Sequence, residues 1–233
     1  MSLSVKPTNK NMTVGTHLET FRGEVETAIR VFYAYEAMRK LLSEPKYVNL
    51  ANNNADFWII FLSSAQTKLF IALGRLYDDS NDAFSFQSFI KTCRENIEEF
   101  GRESFEKRRL SAYVTRPDCL HDYLSDAYFG KVEDIDALAR LARPFNKKMK
   151  GLYKEIRSKV FAHAIHTDKI NISNLFEGTS FEEIENALKA LWSIYWQVWQ
   201  LYNNARQPTL EIDSYPYKDD VVNCIRTALT GGV

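Results

Sequence analysis

The spacing of the apolar residues is the feature of this sequence that most restricts its fold. Along nearly the whole chain these residues recur at intervals of three and four, and only nine glycines and six prolines interrupt the 233 residues. Such intervals match one face of an α-helix, whereas a half-buried β-strand alternates apolar and polar residues at every second position. The sequence therefore predicts an all-α fold, a bundle of about six to eight helices around a shared core.

The helical patterns succeed one another without a linker long enough to separate two domains, so residues 1–233 are expected to form a single domain. The patterns lie at 21–43, 57–79, 84–100, 104–115, 133–166, 180–207 and 218–229, with a shorter helix opened by Pro117. Residues 1–14 are polar and are expected to be disordered, while 208–233 predict a turn and a short helix. The asparagine-rich stretch 49–54 predicts a loop.

Three of these patterns carry further signals. The helix from Phe57 to Leu76 is so rich in apolar residues that it is expected to lie at the centre of the bundle. Ser180 and Glu183 have the spacing of a capping box and predict the start of the helix that follows them. Pro144 is expected to kink or divide the pattern in which it lies rather than to end it.

Composition excludes several classes of protein. Thirty basic and thirty acidic residues leave no net charge to attract nucleic acid or an anionic membrane, so any such attraction must be local. The first residues lack the apolar segment of a signal peptide, and the longest apolar run, 57–62, is short for a membrane span. We therefore expect a cytoplasmic protein without a membrane partner. The odd number and wide spacing of Cys93, Cys119 and Cys224 argue against disulfides and structural zinc and predict buried or half-buried thiols.

The positive charge of the chain is concentrated in residues 140–159, which we call the basic segment. It holds eight basic residues and one acid: Arg140, Arg143, Lys147, Lys148, Lys150, Lys154, Arg157, Lys159 and Glu155. On a helix the basic side chains fall mostly beside the apolar stripe and would form an exposed ridge. One interpretation is a track for RNA phosphates, with Lys147, Lys148, Lys150, Lys154 and Lys159 as the contacting residues. The other is a solvated face paired with acids elsewhere in the chain.

The end of this segment has the composition of a metal-independent RNA cleavage site. Residues 157–163 read RSKVFAH, with Arg157, Ser158 and His163 as the polar members of interest. Attack of a ribose 2′-hydroxyl on phosphorus needs a proton acceptor, a proton donor and a fixed cation. Histidine can serve as acid or base near neutral pH, arginine keeps its charge, and the serine can orient either group or the substrate. The alternative is an arginine in a salt bridge and a histidine satisfied by a backbone carbonyl.

Helix geometry adds a requirement for a second chain. Residues 145–166 are expected to form one long helix, on which Arg157 and His163 are separated by a rise of roughly 9 Å and lie about 120° apart around the axis. They do not converge within one chain. A two-fold dimer that packs these helices together would bring both pairs into one cleft, so the sequence predicts a homodimer with a composite site.

Three other residues are candidates for this site. His166 lies one turn beyond His163 and could assist catalysis or, with His163, contribute to a metal site, and Asp168 is close in sequence but lies where the helix is expected to end. Two histidines without a third ligand on the helix make a poor zinc site, so we expect neither a metal nor another cofactor. Asp78 ends the second helix and could hold Arg157 in place, or could merely terminate that helix.

Two further patterns have less specific interpretations. Arg116 and His121 repeat the arginine and histidine pattern, but a proline follows the arginine, which favours surface or capping roles. An aromatic series could stack on RNA bases, although its helical spacing favours core packing. Its members are Trp192, Tyr195, Trp196, Trp199 and Tyr202. Trp192 and Trp196 flank the buried stripe and are expected to contribute to an interface.

An arginine, a polar residue and a histidine near the end of a long helix in an all-α domain resemble the HEPN ribonucleases. The string RSKVFAH, together with LGRLYDDS at 73–80, resembles their AbiU-type abortive-infection branch. The resemblance implies a helical-bundle dimer with a composite site, RNA as substrate, no metal, and a role as a toxin or in phage defence, with an antitoxin as a further partner. It makes Arg157 and His163 the catalytic pair, with Ser158 beside them.

One position departs from the pattern of that family. Some members carry a tyrosine two residues after the histidine, as a modification target, whereas this chain has Ile165 and control by that modification is doubtful. A noncatalytic helical module that binds RNA, nucleotide or protein through the basic segment remains the alternative function.

Overall fold

Helices make up all the regular structure in the described part of the chain. The computed structural model describes residues 13–78, 84–111, 120–156 and 178–230, and none of these forms a strand. The helices are α1 (Val14–Leu42), α2 (Val48–Asn53), α3 (Ala55–Leu76), α4 (Phe86–Glu95), α5 (Arg102–Ser111), α6 (Leu120–Asp126), α7 (Val132–Arg140), α8 (Arg143–Lys148), α9 (Lys154–Ile156), α10 (Phe181–Asn204) and α11 (Lys218–Thr230). Two 3₁₀ turns, Pro45–Tyr47 and Ile97–Phe100, and a π-helical turn, Met149–Tyr153, connect some of them. The predicted all-α fold is confirmed.

The core forms where α1 packs against α3, α10 and α11. Phe21, Val25, Ala28 and Phe32 of the apolar stripe of α1 have no exposed surface, while Tyr35 farther along it is half-buried. Each large apolar side chain removed from water in this way contributes about 1.5–3 kcal/mol, which explains why a 29-residue helix lies at the centre. The α1 stripe that the sequence predicts therefore builds the core.

The start of α10 also follows the sequence prediction. Ser180 is the N-cap residue of this helix, and its hydroxyl oxygen accepts a hydrogen bond from the backbone nitrogen of Glu183 at 3.4 Å. Acidic residues in the first turn complement the positive end of the helix dipole. This capping holds the N-terminus of α10 in a defined position beside α8, where Glu183 pairs with Lys148.

Two predictions fail in the region of α2 and α3. The asparagine-rich stretch 49–54 was expected to be a loop, but most of it lies in α2. The whole of α3 was expected to be central, but only its second half is buried, and Phe57 and Ile60 in the first half are 57% and 65% exposed. The first half of α3 packs only through Trp58 and its neighbours onto the small cluster around Met38, at the far end of α1. Apolar density alone overestimates burial where few partner helices are present.

By length and hydropathy, α3 is also the one helix of the described residues that would suffice to cross a membrane, although 28% of the relevant window is buried within the fold. Core helices of soluble proteins meet the same two criteria.

The cysteines divide between buried and exposed positions. Cys93 is fully buried in α4, and burial raises the pKa of its thiol. Cys224 in α11 is exposed, so the expectation that all three thiols are at least half-buried is wrong for this residue. Cys119 lies outside the described residues.

Candidate functional site

The structure describes the chain up to Ile156, one residue before the sequence motif that predicts an active site, and again from residue 178. Arg157, Ser158, Lys159, His163 and His166 all lie in the stretch 157–177, outside the described residues. Their predicted roles therefore stay predictions. What the structure describes is the helix that leads to the motif and the surfaces beside that helix.

The helix leading to the motif is divided, as Pro144 suggested. A turn at Leu141 and Ala142 separates α7 from α8, Pro144 lies in the first turn of α8, and the π-helical turn follows directly. Within 145–156 the predicted long helix is therefore helical but irregular. The wider π turn carries Tyr153 onto the buried side, with no exposed surface. Single π turns inside helices occur frequently at functional sites.

Tyr153 anchors this approach to the motif. Its ring stacks on Phe70 of α3, with centroids 5.6 Å apart and planes 19° apart. Its hydroxyl oxygen accepts a hydrogen bond from the backbone nitrogen of Ser180, the N-cap of α10, at 3.3 Å. Burial raises the pKa of Tyr153 to about 12, so the phenol stays protonated at neutral pH. The last described turn before Arg157 is thus held against both α3 and α10.

The basic segment shows both arrangements that the sequence left open. Lys148 follows the structural interpretation, because its ammonium pairs with the carboxylate of Glu183 in α10 at 2.5 Å. Arg140, Arg143 and Lys147 are exposed and form no ion pair with the described residues. These three side chains leave a positive surface available to an anionic ligand.

The remaining lysines of the basic segment are described only in part. Lys150 is half-buried in the π turn, and Lys159 and the side chain of Lys154 lie outside what the structure describes.

α3, which contacts this approach, carries a polar groove that the sequence analysis missed. The groove has a volume of about 360 Å³, and its lining includes Ser64, Thr67, Lys68 and Arg75. Contacts of α3 with the π turn and with α9 place the helix next to the end of the described basic segment. The available signal was the set of polar residues at intervals of three and four inside a very apolar helix.

The side chains of the groove differ in whether they already pair with another described residue. The Lys68 ammonium is exposed, and neither it nor the Ser64 hydroxyl has a partner among the described residues. Arg75 is half exposed, and its guanidinium pairs with Glu24 of α1 at 3.0 Å. With respect to the described residues, the Lys68 ammonium and the Ser64 hydroxyl are thus available as donors, a combination that suits a phosphate oxygen.

The supporting residue predicted at the end of α3 lies close to this groove. Asp78 is half-buried, and its backbone nitrogen donates a hydrogen bond to the carbonyl oxygen of Arg75 at 3.1 Å. Its predicted partner, Arg157, falls outside the described residues, so this pairing stays a prediction.

Metal-binding geometry is absent from the described part of the chain, where no three histidine, cysteine, aspartate or glutamate side chains cluster. His121, of the second arginine and histidine pattern, is 86% exposed beside Asp122, in agreement with a surface position. Arg116 lies outside the described residues.

The aromatic series of α10 is mostly core. Trp192, Tyr195 and Tyr202 are buried, and the ring of Trp192 packs edge-on against Tyr215 with centroids 5.0 Å apart. The prediction that Trp192 belongs to an exposed flank is therefore wrong, because the segment after α10 folds back and covers it. Trp196 alone is exposed, at 37%.

Comparison with known proteins agrees with this architecture. The family model described as AbiU2 (HEPN_AbiU2) matches residues 13–223, a range that includes nearly every described residue and the motif at 157–163. Searches of curated proteins and of solved structures give no match. The match extends over far more than half of the chain.

Proposed function

The chain belongs to the AbiU2 family of HEPN domains, which associates it with abortive infection, and from this premise we propose that it is a metal-independent endoribonuclease. The observation that carries the proposal is the position of the string RSKVFAH. It lies inside the family match, directly after a positively charged helix that Tyr153 anchors to the core. A toxin or phage-defence role, with an antitoxin as partner, accompanies the proposal.

The proposed reaction transfers the phosphodiester from the 5′-oxygen to the 2′-oxygen of the neighbouring ribose. The 2′-hydroxyl loses its proton and attacks phosphorus, the bond to the 5′-oxygen breaks, and that oxygen takes up a proton. The products are a 2′,3′-cyclic phosphate and a 5′-hydroxyl. His163 serves the proton transfers, Arg157 stabilises the charge on the phosphoryl oxygens, and Ser158 orients the reacting groups.

The described surfaces supply a path for the RNA strand. Arg140, Arg143 and Lys147 contribute unpaired positive charge before the motif, and Lys68 and Ser64 contribute donors on the adjacent α3. Each phosphate neutralised on a single strand releases counterions and makes the binding constant fall with salt, by a slope of about 0.7 per contact. RNA binding by this protein is therefore expected to weaken steeply as salt rises.

The exposed face of α3 supports a second copy as part of the site. Phe57, Ile60, Ser64, Lys68 and Ile71 follow one another at intervals of three and four, so they lie on one face of the helix. Its first part is apolar and exposed, and its second part is the polar groove. A partner chain covering the apolar part would lie directly beside the groove, and a second copy is what the spacing of Arg157 and His163 calls for.

Cleavage assays with the purified full-length protein test the proposal. The wild type should cut single-stranded RNA in EDTA and leave 2′,3′-cyclic phosphate ends. Arg157→Ala and His163→Ala should each slow cleavage by at least about a hundredfold while leaving the circular dichroism spectrum unchanged. His121→Ala, which removes an exposed histidine of similar sequence context, is the matched control and should cut normally.

Mixing the two inactive variants tests the composite site. A heterodimer of Arg157→Ala and His163→Ala chains keeps one arginine and one histidine in the shared cleft, so activity should reappear on mixing. Undiminished cleavage in both single variants would contradict the assignment. A wild type that binds RNA with strong salt dependence but never cuts it would instead support the noncatalytic binding module.

A further inference from the structure

A second concave site lies between α1, α10 and the segment 205–217. It is a cavity of about 500 Å³, and its lining includes Arg22, Glu26, Trp196, Trp199, Asp213 and Tyr217. We call it the aromatic pocket. Among the described residues, none that lines it belongs to the basic segment or to α3, so it is distinct from the groove on α3.

The walls of the aromatic pocket present aromatic rings. Trp196 and Trp199 lie parallel, with centroids 5.2 Å apart and planes 4° apart. Trp196 is 37% exposed and Tyr217 is 48% exposed. Large aromatic side chains that stay accessible inside a concave site offer their electron-rich faces to a ligand.

The charge of the lining is negative. The Arg22 guanidinium is already engaged, since its Nε lies 3.3 Å from Glu26 and an Nη lies 3.7 Å from Glu19. Asp213 forms no ion pair with any described residue. The lining therefore contains one guanidinium, that of Arg22, and two carboxylates, those of Glu26 and Asp213. This balance repels a phosphate backbone and attracts a cation.

Buried polar side chains of α10 hold the Asp213 side of the pocket in place. The hydroxyl oxygen of Ser193, which is fully buried, accepts a hydrogen bond from the backbone nitrogen of Asp213 at 2.8 Å. Gln197, also buried, donates to the Thr209 hydroxyl at 2.8 Å and accepts from the Thr209 backbone nitrogen at 3.0 Å. Polar groups are costly in a helix core unless they are satisfied, and here they fasten the segment that carries the carboxylate.

Tyr215 also holds the segment 205–217 in place, through a hydrogen bond with α1. Its ring is buried against Trp192, and its hydroxyl oxygen accepts a hydrogen bond from Nε of Arg30 at 3.0 Å. The pocket is thus formed before any ligand arrives, which lowers the cost of ordering on binding.

We infer that the aromatic pocket binds an organic cation, a guanidinium or alkylammonium group. The cation lies against the faces of Trp196 and Trp199, and its charge is balanced by the carboxylate of Asp213. Aromatic faces beside an unpaired carboxylate are the arrangement that recognises such groups through cation–π attraction. The group comes either from a free small molecule or from an arginine or lysine side chain of a peptide.

Tryptophan fluorescence of the full-length protein reports on this site, because three of the four tryptophans line it. N-acetyl-argininamide is titrated at constant ionic strength and compared with N-acetyl-citrullinamide, its neutral analogue of nearly the same shape. We expect a saturable change with the first probe and none with the second. An equal response to both probes would overturn the inference, because it would show that charge is not recognised.

Variants of the lining residues test whether N-acetyl-argininamide binds in the aromatic pocket. Trp196→Ala should weaken the binding of N-acetyl-argininamide by about tenfold, and Asp213→Asn by about fivefold. Glu211→Gln removes an exposed carboxylate of the same segment that does not line the pocket, and it should have no effect. Thermal unfolding checks that each variant is folded. Unchanged affinity in both Trp196→Ala and Asp213→Asn would overturn the inference.

Two further probes separate the sources of the cation. Acetyl-Gly-Arg-Gly-amide binding at least tenfold more tightly than N-acetyl-argininamide would support a peptide side chain as the ligand, and equal affinity would support a free small cation. A single-stranded RNA oligonucleotide that displaced N-acetyl-argininamide from the pocket would contradict the inference. RNA cleavage should be unchanged in Asp213→Asn, so failure here leaves the proposed nuclease untouched.

Discussion

α1 and α3 are both long helices with dense apolar stripes, yet they are buried to very different extents. α1 is covered along most of its length by α3, α10 and α11, whereas α3 is covered only over its second half. Phe21 of α1 has no exposed surface, while Ile60 of α3 is 65% exposed. The apolar stripe of a helix shows which face can be buried, and the number of neighbouring helices determines how much of it is.

The largest expected effect of this difference is on stability. Phe21→Ala should lower the free energy of unfolding by about 4 kcal/mol, because the ring is fully buried and stacks on Phe89 at 4.3 Å between centroids. Ile60→Ala, the matched change on the exposed half of α3, should alter it by less than about 0.5 kcal/mol in the monomer. Urea unfolding followed by circular dichroism measures both values. Similar losses in the two variants would refute the contrast between the helices.

Glu185 provides a smaller, pH-dependent test on the covered side of α1. Burial acts to raise the pKa of Glu185, but hydrogen bonds from Lys189, Lys218 and Tyr33 outweigh it and hold that pKa below its usual value. The stability it contributes is therefore complete above the unfolded-state pKa of about 4.3 and is lost as pH falls through the folded-state pKa. Glu185→Gln should cost about 1 kcal/mol at pH 7.

The pH dependence of that loss separates charge from packing. The difference between wild type and Glu185→Gln should shrink below about pH 4 and vanish in more acidic solution, as denaturant unfolding across a pH series can measure. Glu182→Gln, an exposed neighbour in the same helix, should change stability by only a few tenths of a kcal/mol. A constant loss at every pH would show that the carboxylate charge is not the cause.

The smallest effect concerns two adjacent lysines with different surroundings. Lys147 is exposed without an ion pair among the described residues, whereas Lys148 is paired with Glu183. Lys147→Ala should lower the slope of log binding constant against log salt for single-stranded RNA by about 0.7, the share of one phosphate contact. Lys148→Ala should leave that slope unchanged. Fluorescence anisotropy at several salt concentrations distinguishes them, and equal slopes in both variants would contradict the assignment.

Much of the fold follows from local patterns. The stripe of α1, the division of the helix at Pro144 and the capping of α10 by Ser180 all depend on residues within a few positions of one another. The π turn does not follow from local patterns. Its Tyr153 is buried because it contacts Phe70 of α3 and the N-cap residue of α10.

The candidate site likewise has some features that follow from neighbouring residues and others that depend on contacts between distant ones. The basic segment and the motif with Arg157 and His163 are contiguous in sequence, and the family match includes both. The groove on α3 could have been found from its polar residues at helical spacing, but the contact of α3 with α9 joins distant parts of the chain. Whether a lysine is free or paired is equally non-local.

By itself, the sequence determined the helical class, the main helix ends, the positive segment and the family, because each depends on periodicity or on neighbouring residues. Only the tertiary structure decided that half of α3 is exposed, that Lys148 is paired, and that Trp196, Glu26 and Asp213 share one pocket. These properties arise from contacts between residues far apart in the chain. Such contacts depend on how whole helices pack, which no local spacing encodes.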